Sequence, residues 1–343
     1  MKIFLIGAFG FNDVKKYCGG QPVKSRELYS LLVDNFTEAS ILYNDTYAWK
    51  KNPLLFLIKT IRLIKKADII IILPAQNGLK VLSRLVKIFK RKNTKVFYDV
   101  IGGWLPDYLL ESKETLNNLK RFNGIWVETP TMQKKLNALG LNNVETIPNF
   151  KNLPFVEEYC GFNNIFQVCI FSRISYSKGV EDAISAISFL SKTGTSIKLD
   201  IYGPIEEKYK EKFYKILREN DHQVITYKGV IDSYKSTEII SKYNALIFPT
   251  FYDGEGFAGT LIDAMFSGVP VVASDWKYNC DIIKNGYNGL VFKTRDVDDL
   301  ISKIRILVYD PKLCILIHDN CLKEARKYTK ESVLLMISNA FKN

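Results

Sequence analysis

The sequence predicts an α/β protein made of two doubly wound domains that face each other across a cleft. Short apolar runs rich in Val, Ile and Phe alternate with segments of helical periodicity throughout the chain. These runs are continuous rather than alternating, which is typical of parallel strands covered on both faces. The length of 343 residues suits about two domains of ordinary size.

The predicted strands follow one another at intervals, and each is bounded by turn residues. In the first half they are residues 2–6, 69–73, 95–100, 124–127 and 144–147. In the second half they are residues 166–170, 197–201, 224–227, 245–248, 269–273 and 289–292. The segment PNFKNLP at 148–154 is the best linker candidate, because it has two prolines and two asparagines. We therefore expect an N-terminal domain over residues 1–150 and a C-terminal domain from residue 151.

Composition excludes several protein classes. Hydrophobic residues make up 47% and charged residues 24%, which is ordinary for a globular protein and excludes a disordered chain or a fibre. The N-terminal MKIFLIG fits a buried strand better than a signal peptide, and no apolar run is long enough to cross a bilayer. The six cysteines form no CxxC pair, which favours free thiols in a reducing cytosol.

The net charge of +12 is concentrated in one segment. Residues 50–95 hold 13 basic side chains and a single acid, Asp68. Two stretches with helical spacing place apolar residues on one side, at 54, 57, 58, 61 and 64 and at 82, 85, 86 and 89. Basic amphipathic helices of this kind suit an anionic membrane surface. The alternative is that the apolar sides are core faces and the lysines are only solvated. Nucleic acid is not expected, because no nucleic-acid module is recognisable and aromatic residues do not interleave the basic run.

The most informative stretch is PTFYDGEGFAGTLIDAMFSGVP at 249–270, which follows a predicted strand. Its glycines allow the backbone to approach a ligand closely, and the helix that starts near Thr260 offers free N–H groups to an anion. Glu255 and Asp263 can accept hydrogen bonds from vicinal hydroxyls. The stretch therefore predicts a ligand that carries both phosphate and sugar, unless it is a plain strand–turn–helix connection.

Two further loops follow predicted strands. In CIFSRISYSKGVEDAI at 169–184, Arg173 and Lys178 lie beyond a strand end, where open α/β sheets bind ligands. A guanidinium and an ammonium together suit a diphosphate. In the first half, Gly19 and Gly20 precede a helix and could approach a ligand from the other wall of the cleft. They do not match GxGxxG, so a mobile loop is an equal alternative.

The two second-half stretches, together with NGYNGLVF at 285–292 and VETPTMQKKLNALGLNNVETIPNFK at 127–151, resemble glycosyltransferase family 4. The resemblance covers essentially the whole chain. It implies a GT-B fold of two Rossmann-like domains, with the acceptor in domain 1–150 and the nucleotide-sugar donor in domain 151–327. It also implies that a C-terminal helix, residues 328–343, returns to the first domain.

The resemblance assigns roles to individual residues. The diphosphate would be held by Arg173 and Lys178, the donor sugar by Glu255, and the ribose by Asp263, where the family usually has Glu. Arg173, Lys178 and Glu255 are thus the expected catalytic residues. Further donor-binding residues are expected at Gly256, Phe257, Ala258, Gly259, Thr260, Gly19 and Gly20.

The acceptor side is less well defined by the sequence. The first-domain histidine of many family members is missing, since the histidines here are His222 and His318. The nearest candidates are Asp99, Gly102, Gly103 and Trp104 of YDVIGGW, although Asp99 could equally be a structural acid at a strand end.

The resulting prediction is a retaining glycosyltransferase that moves a sugar from a nucleotide-diphosphate sugar, by default a UDP-sugar, to a saccharide acceptor. The basic segment points to a lipid-linked acceptor, such as a polyprenyl-diphosphate glycan of bacterial surface polysaccharide assembly, and to a cytoplasmic protein on the inner membrane face. No cofactor and no metal are expected, because Asp296 and Asp298 fit the start of a helix better than a metal site. The alternatives are a nucleotide-sugar epimerase of the same architecture and a non-catalytic protein that binds a partner or a membrane.

Overall fold

A computed structural model describes residues 1–14, 17, 19–161 and 164–342. The chain folds into two compact units. The first unit contains Met1–Phe150 together with the C-terminal helix Lys330–Lys342. The second unit contains Lys151–Thr329.

In the described part of the first unit, parallel strands and helices alternate as expected for a doubly wound fold. The strands are β1 (Lys2–Gly7), β2 (Ser40–Asp45), β3 (Ile69–Ile72), β4 (Lys95–Asp99), β5 (Gly124–Val127) and β6 (Val144–Thr146). The helices are α1 (Gly20–Asn35), α2 (Pro53–Lys66), α3 (Gln76–Phe89), α4 (Leu105–Glu111), α5 (Lys113–Leu119) and α6 (Pro130–Ala138). The six strands form one sheet in the order β2-β1-β3-β4-β5-β6.

The second unit repeats this plan within its described residues. Its strands are β7 (Phe166–Phe171), β8 (Ile197–Tyr202), β9 (Ile225–Gly229), β10 (Ala245–Phe248), β11 (Val271–Ser274) and β12 (Gly289–Phe292). Its helices are α7 (Val180–Lys192), α8 (Lys210–Arg218), α9 (Ser236–Ile240), α10 (Gly259–Phe266), α11 (Asn279–Ile282), α12 (Val297–Tyr309) and α13 (Pro311–Ala325), and the C-terminal helix is α14 (Lys330–Lys342). The parallel strands lie in the order β12-β11-β10-β7-β8-β9.

These two sheets confirm the predicted fold class, and each predicted strand is present with bounds that differ by two residues or fewer. The sequence did not reveal β2. It is an edge strand that pairs only with β1, and most of its side chains are half-buried or exposed, so it lacks a continuous apolar run.

The C-terminal helix α14 completes the core of the first unit. Val333, Ile337 and Ala340 are buried in the same cluster as the apolar residues of β1 and α1. The ring of Phe341 lies 5.5 Å from that of Phe97, and Lys95 Nζ donates to the Phe341 carbonyl oxygen at 2.9 Å. This packing occurs because α14 presents one apolar face at helical spacing.

The basic helices α2 and α3 only partly follow the predicted faces. The core face of α2 consists of Phe56, Thr60 and Ile64. Leu54 and Ile58 do not fit the alternative in which the apolar side is a core face, since their side chains are 67% and 49% exposed. In α3 the prediction fits better, since Leu82 and Val86 are buried and Leu85 and Phe89 are half-buried. No helix in the described ranges is long and apolar enough to cross a membrane.

Two predictions about individual polar residues can be checked in the second unit. Asp296 caps α12, because its carboxylate accepts a hydrogen bond from the Asp299 N–H at 3.0 Å, as expected. His318 is buried, and its two ring nitrogens contact the carbonyl oxygens of Gly268 and Glu157 at 2.8 and 3.0 Å. His222 is exposed.

The five described cysteines are free, whereas Cys18 lies outside the described residues.

A buried charge cluster joins α1 to the carboxyl ends of β4 and β5. Lys24 Nζ lies 3.1 Å from Asp99 Oδ1 and 3.0 Å from Glu128 Oε1, and all three residues are buried. Burial raises the pKa of Asp99 to about 6, although the Lys24 ammonium opposes this rise. Burial lowers the pKa of Lys24, but the two carboxylates outweigh it, and the net pKa is raised. The cluster therefore contains a carboxyl group, that of Asp99, which binds its proton more tightly in the folded than in the unfolded chain.

We expect Asp99→Asn to change the pH dependence of stability. Because the pKa of Asp99 is higher in the folded than in the unfolded state, its contribution to the free energy of unfolding is largest at low pH and declines as the pH rises through about 6. The free energy of unfolding of the wild type minus that of Asp99→Asn should fall by on the order of 1–3 kcal/mol between about pH 4 and 7. Urea denaturation followed by circular dichroism at each pH measures this difference. The exposed control Glu111→Gln should leave it flat, and a difference that rises with pH for Asp99→Asn would contradict this account.

Candidate functional site

The predicted site lies at the carboxyl edge of the second sheet. Strands β7 and β10 are neighbours in that sheet, and both run in the same direction. The loop after β7 leads through Arg173 and Lys178 into α7, and the loop after β10 leads through Glu255 into α10. Because the carboxyl ends of parallel neighbours meet at one edge, these loops come together.

Lys178 and Glu255 form an ion pair at this edge. Lys178 Nζ lies 2.5 Å from Glu255 Oε2, and Thr250 Oγ1 donates to the same oxygen at 2.8 Å. Glu255 is buried, and the exposed fraction of the Lys178 side chain is only 15%. The Lys178 ammonium also lies 5.1 Å from the ring centre of Tyr252. The structure therefore brings together two of the three expected catalytic residues and adds Thr250, which the sequence did not single out.

Arg173 lies in the same loop, but its side chain is exposed. In the described part of the chain, neither an ion pair nor a hydrogen bond joins it to Glu255. The structure thus places one cation, Lys178, against the carboxylate and leaves the second one facing solvent.

The loop that carries Glu255 is held from both sides. The Phe251 N–H donates to the Ser177 carbonyl oxygen at 2.8 Å, and Ser274 Oγ donates to the Thr250 carbonyl oxygen at 2.6 Å. Trp276 Nε1 donates to the carbonyl oxygen of Tyr252 at 2.8 Å. These bonds fix the backbone before Glu255 and so fix where its carboxylate lies.

One glycine is required by this arrangement. Gly179 is the N-cap residue of α7 and adopts the left-handed conformation, with φ of +69°. A Cβ atom at this position would lie 2.0 Å from the carbonyl oxygen of Pro249, so only glycine allows the two loops to approach this closely. The short distance between Lys178 and Glu255 depends on this contact.

The start of α10 provides free backbone donors. Ala258 is the N-cap residue and makes no side-chain capping bond, so the first N–H groups of the helix lack helical partners. The helix dipole makes this end attractive to an anion. Thr260 Oγ1 donates to the Phe171 carbonyl oxygen at 2.8 Å, which ties α10 to the end of β7. Phe257 is buried against the ring of Tyr328, so only its backbone can serve a ligand.

Asp263 lies on α10 and is paired with a residue that the sequence did not predict. Its Oδ1 atom is 3.2 Å from Lys151 Nζ, and both side chains are largely buried. Burial raises the pKa of Asp263, and Lys151 opposes this rise. No sequence signal marked Lys151, because a single lysine in a linker has no recognisable pattern.

The predicted residues of the first unit have two different environments. Asp99 is buried in the ion-pair cluster with Lys24, which fits the alternative of a structural acid at a strand end. Glu128 of the same cluster accepts a hydrogen bond from the Gly102 N–H at 3.3 Å. The cluster thereby fixes the turn that leads to Gly103, which is buried, and to Trp104, which is half-buried.

The remaining predicted residues of the first unit are Trp104, which precedes α4, and Gly19 and Gly20 at the start of α1. Trp104 Nε1 donates to the Ile101 carbonyl oxygen at 3.1 Å, and its ring packs edge-on against Tyr108. Gly19 is the N-cap residue of α1, and Gly20 is its first residue. A Cβ atom at Gly20 would meet nothing within 4 Å, so the backbone there borders open space. Within the described ranges no cluster of three or more His, Cys, Asp or Glu residues is placed to hold a metal ion.

Comparison with known proteins places this site in a family. Residues 162–328 match the family described as Glycosyl transferases group 1. Over 235 residues the chain is 27% identical to a poly(ribitol-phosphate) alpha-N-acetylglucosaminyltransferase of Staphylococcus aureus (strain COL), a match that covers 67% of this chain and 46% of that protein. The chain thus spans about half the length of this curated relative.

Solved structures show the same fold over the whole chain. HepE of Anabaena in complex with UDP has a TM-score of 0.73 at 17% identity, with 99% of both chains covered. Sucrose-phosphate synthase of Thermosynechococcus elongatus has a TM-score of 0.77 at 16% identity, with 100% of this chain and 98% of that chain covered. These likenesses confirm the GT-B fold. Through residues 162–328, the second unit of this chain belongs to the Glycosyl transferases group 1 family, as its motifs predict.

Proposed function

We propose that this protein is a retaining glycosyltransferase that takes its sugar from a UDP-sugar and passes it to a saccharide acceptor. The single observation that carries the proposal is the ion pair of Lys178 with Glu255, next to the uncapped start of α10. A cation and free N–H groups suit a diphosphate, and a carboxylate suits sugar hydroxyls. Family membership and the UDP bound by HepE support the same assignment.

The chemistry follows from these positions. Transfer breaks the bond between the sugar and the diphosphate, and negative charge develops on the leaving nucleoside diphosphate. Lys178 and the N–H groups of α10 stabilise that charge, and Arg173 is the second cation that can reach it from the same loop. Glu255 orients the sugar through its hydroxyl groups. The acceptor hydroxyl then attacks the anomeric carbon on the face that the leaving group vacates, and its proton passes to an oxygen of the departing diphosphate.

We assign the acceptor to the first unit and propose that it is lipid-linked. Helix α2 exposes Leu54, Leu55 and Ile58, and the preceding Trp49 is 47% exposed. These four residues, named here the α2 patch, are interleaved with exposed basic side chains: Lys50, Lys51, Lys59 and Arg62. Apolar groups beside lysines and arginines suit an anionic bilayer surface, where each basic residue is worth about 1 kcal/mol. A polyprenyl-diphosphate glycan on the cytoplasmic face is the acceptor that fits this location.

Two variants test the donor site without knowledge of the acceptor. Lys178→Met should weaken UDP binding by about tenfold to a hundredfold, because a charge-assisted hydrogen bond to the diphosphate is lost. Isothermal titration calorimetry measures this, and Lys303→Met is the control, since Lys303 pairs with Asp299 at 3.4 Å elsewhere in the second unit. Unchanged UDP affinity in a folded Lys178→Met protein would contradict the role of this lysine.

Glu255→Gln should separate the sugar from the nucleotide. In a screen of UDP-sugars, the wild type should be stabilised more by its donor than by UDP, and the melting temperature reports this difference. Glu255→Gln should retain the stabilisation by UDP and lose the additional stabilisation by the sugar, because the neutral amide is a weaker acceptor for hydroxyl groups. If the additional stabilisation persists, Glu255 does not hold the sugar.

The membrane assignment is tested by flotation with vesicles that contain anionic lipid. The wild type should float with the vesicles at low salt and less at high salt, because salt screens the basic side chains. The double variant Leu54→Ser/Ile58→Ser should float less, since two exposed apolar side chains no longer enter the interface. The matched control is Ile315→Ser/Leu316→Ser on α13, whose side chains are similarly exposed at 51% and 54%. Absence of wild-type flotation at low salt would refute membrane binding.

A further inference from the structure

The loop after β11, residues 275–278, carries a lysine in a strained backbone conformation. Lys277 has a φ of +46°, in the left-handed region that residues other than glycine rarely adopt. Such a residue costs free energy, persists only where the surrounding structure fixes it, and is typical of ligand sites. A role in ligand binding is therefore the first explanation to test for this lysine.

Hydrogen bonds on both sides fix the backbone of this loop. The Asp275 carboxylate accepts a hydrogen bond from the Thr294 N–H at 2.8 Å. Trp276 Nε1 donates to the Tyr252 carbonyl oxygen at 2.8 Å, and the Glu255 N–H donates to the same oxygen at 3.0 Å. The loop is therefore bound to the segment that carries the Glu255 carboxylate, and the lysine has a fixed place relative to it.

The strand order places this lysine on the far side of Glu255 from Lys178. Strand β10, whose loop carries Glu255, lies between β7 and β11 in the sheet. Lys178 follows β7, and Lys277 follows β11. Lys277 Nζ lies 3.9 Å from the Oδ1 atom of Asp253, which precedes Glu255 by two residues and so by at most about 7 Å of chain. A cation thus lies on each side of the loop that carries Glu255.

The ion pair with Asp253 does not explain why a lysine occupies position 277. The distance of 3.9 Å is too long for a hydrogen bond between these two atoms, and the Asp253 side chain is 90% exposed. A pair with so exposed a partner contributes little to stability. Glycine would adopt the same φ without strain. The lysine instead supplies a positive charge on a side chain that is only 21% exposed, at the edge of the site.

The order of charges along this edge indicates the chemistry of the ligand. Under the proposed function, Lys178 contacts the diphosphate and Glu255 accepts hydrogen bonds from the sugar hydroxyls. A ligand that extends from the diphosphate through the sugar and past Glu255 then reaches Lys277. An ammonium group at this position suits a second negative charge. In a sugar, a carboxylate is the group that supplies such a charge.

We infer that the donor is a UDP-hexuronic acid and that the Lys277 ammonium donates a hydrogen bond to the carboxylate of its sugar, an inference that rests on the proposed function. Lys277 is thus a residue that determines donor specificity. It selects the acidic sugar over the neutral hexose of the same configuration, because the hydroxymethyl group of the neutral sugar carries no charge for the ammonium to meet.

Calorimetric titration of the full chain with two matched pairs of donors tests the inference. The pairs are UDP-glucuronic acid with UDP-glucose and UDP-galacturonic acid with UDP-galactose. The wild type should bind at least one acid about tenfold or more tightly than its neutral counterpart, because a charge-assisted hydrogen bond is gained. Lys277→Met should reduce this preference to about threefold or less and leave the affinity for UDP unchanged. Lys277→Arg, which retains the charge, and the control Lys303→Met should keep the preference.

A second variant guards against misfolding of Lys277→Met. Lys277→Gly removes the charge and should fold as well as the wild type, because glycine adopts this backbone conformation without strain. It should bind UDP like the wild type and lose the preference for the acid. A wild type that binds UDP but prefers neither acid overturns the inference and leaves the proposed function standing. A preference that persists in Lys277→Gly also overturns it, and a wild type that binds no UDP overturns both.

Discussion

The candidate site depends on one interaction, the contact of the Lys178 ammonium with the Glu255 carboxylate at the edge of the second sheet. Each group is largely buried, so each needs the other to compensate its charge. A ligand can take the place of both partners at once, if its phosphate contacts the lysine and its hydroxyl groups donate hydrogen bonds to the glutamate. The glycine at 179 and the bonds that hold the 250–256 loop are needed because this contact tolerates little displacement.

Much of the fold could be predicted because buried parallel strands are local in sequence. A run such as IIII at Ile69–Ile72 is apolar on both faces and needs no knowledge of its neighbours to be identified. The same reasoning fails for Ser40–Asp45, since an edge strand is partly solvated and carries no such run. The strand order was not predictable either, because it depends on which strands pair after the chain has crossed over.

The candidate site shows the same division between local and tertiary information. Lys178 and Glu255 could be predicted because each follows a recognisable strand, and the rule for parallel sheets brings such loops together. The partners of Asp99 and Asp263 could not, since Lys24 and Lys151 reach them from distant parts of the sequence. The sequence also left open whether Leu54 and Ile58 face outward, because helical spacing gives a common side but not which side packs on the sheet.

The packing of α14 in the first unit has a consequence for the order of folding during synthesis. Val333, Ile337 and Ala340 belong to the core that Ile3, Leu5 and Leu28 begin, yet the ribosome makes them after the entire second unit. Domains generally fold as they emerge, at about 5–20 residues per second. The nascent N-terminal sheet must therefore wait many seconds with an uncovered apolar surface, which makes this interval the one in which a chaperone is most useful.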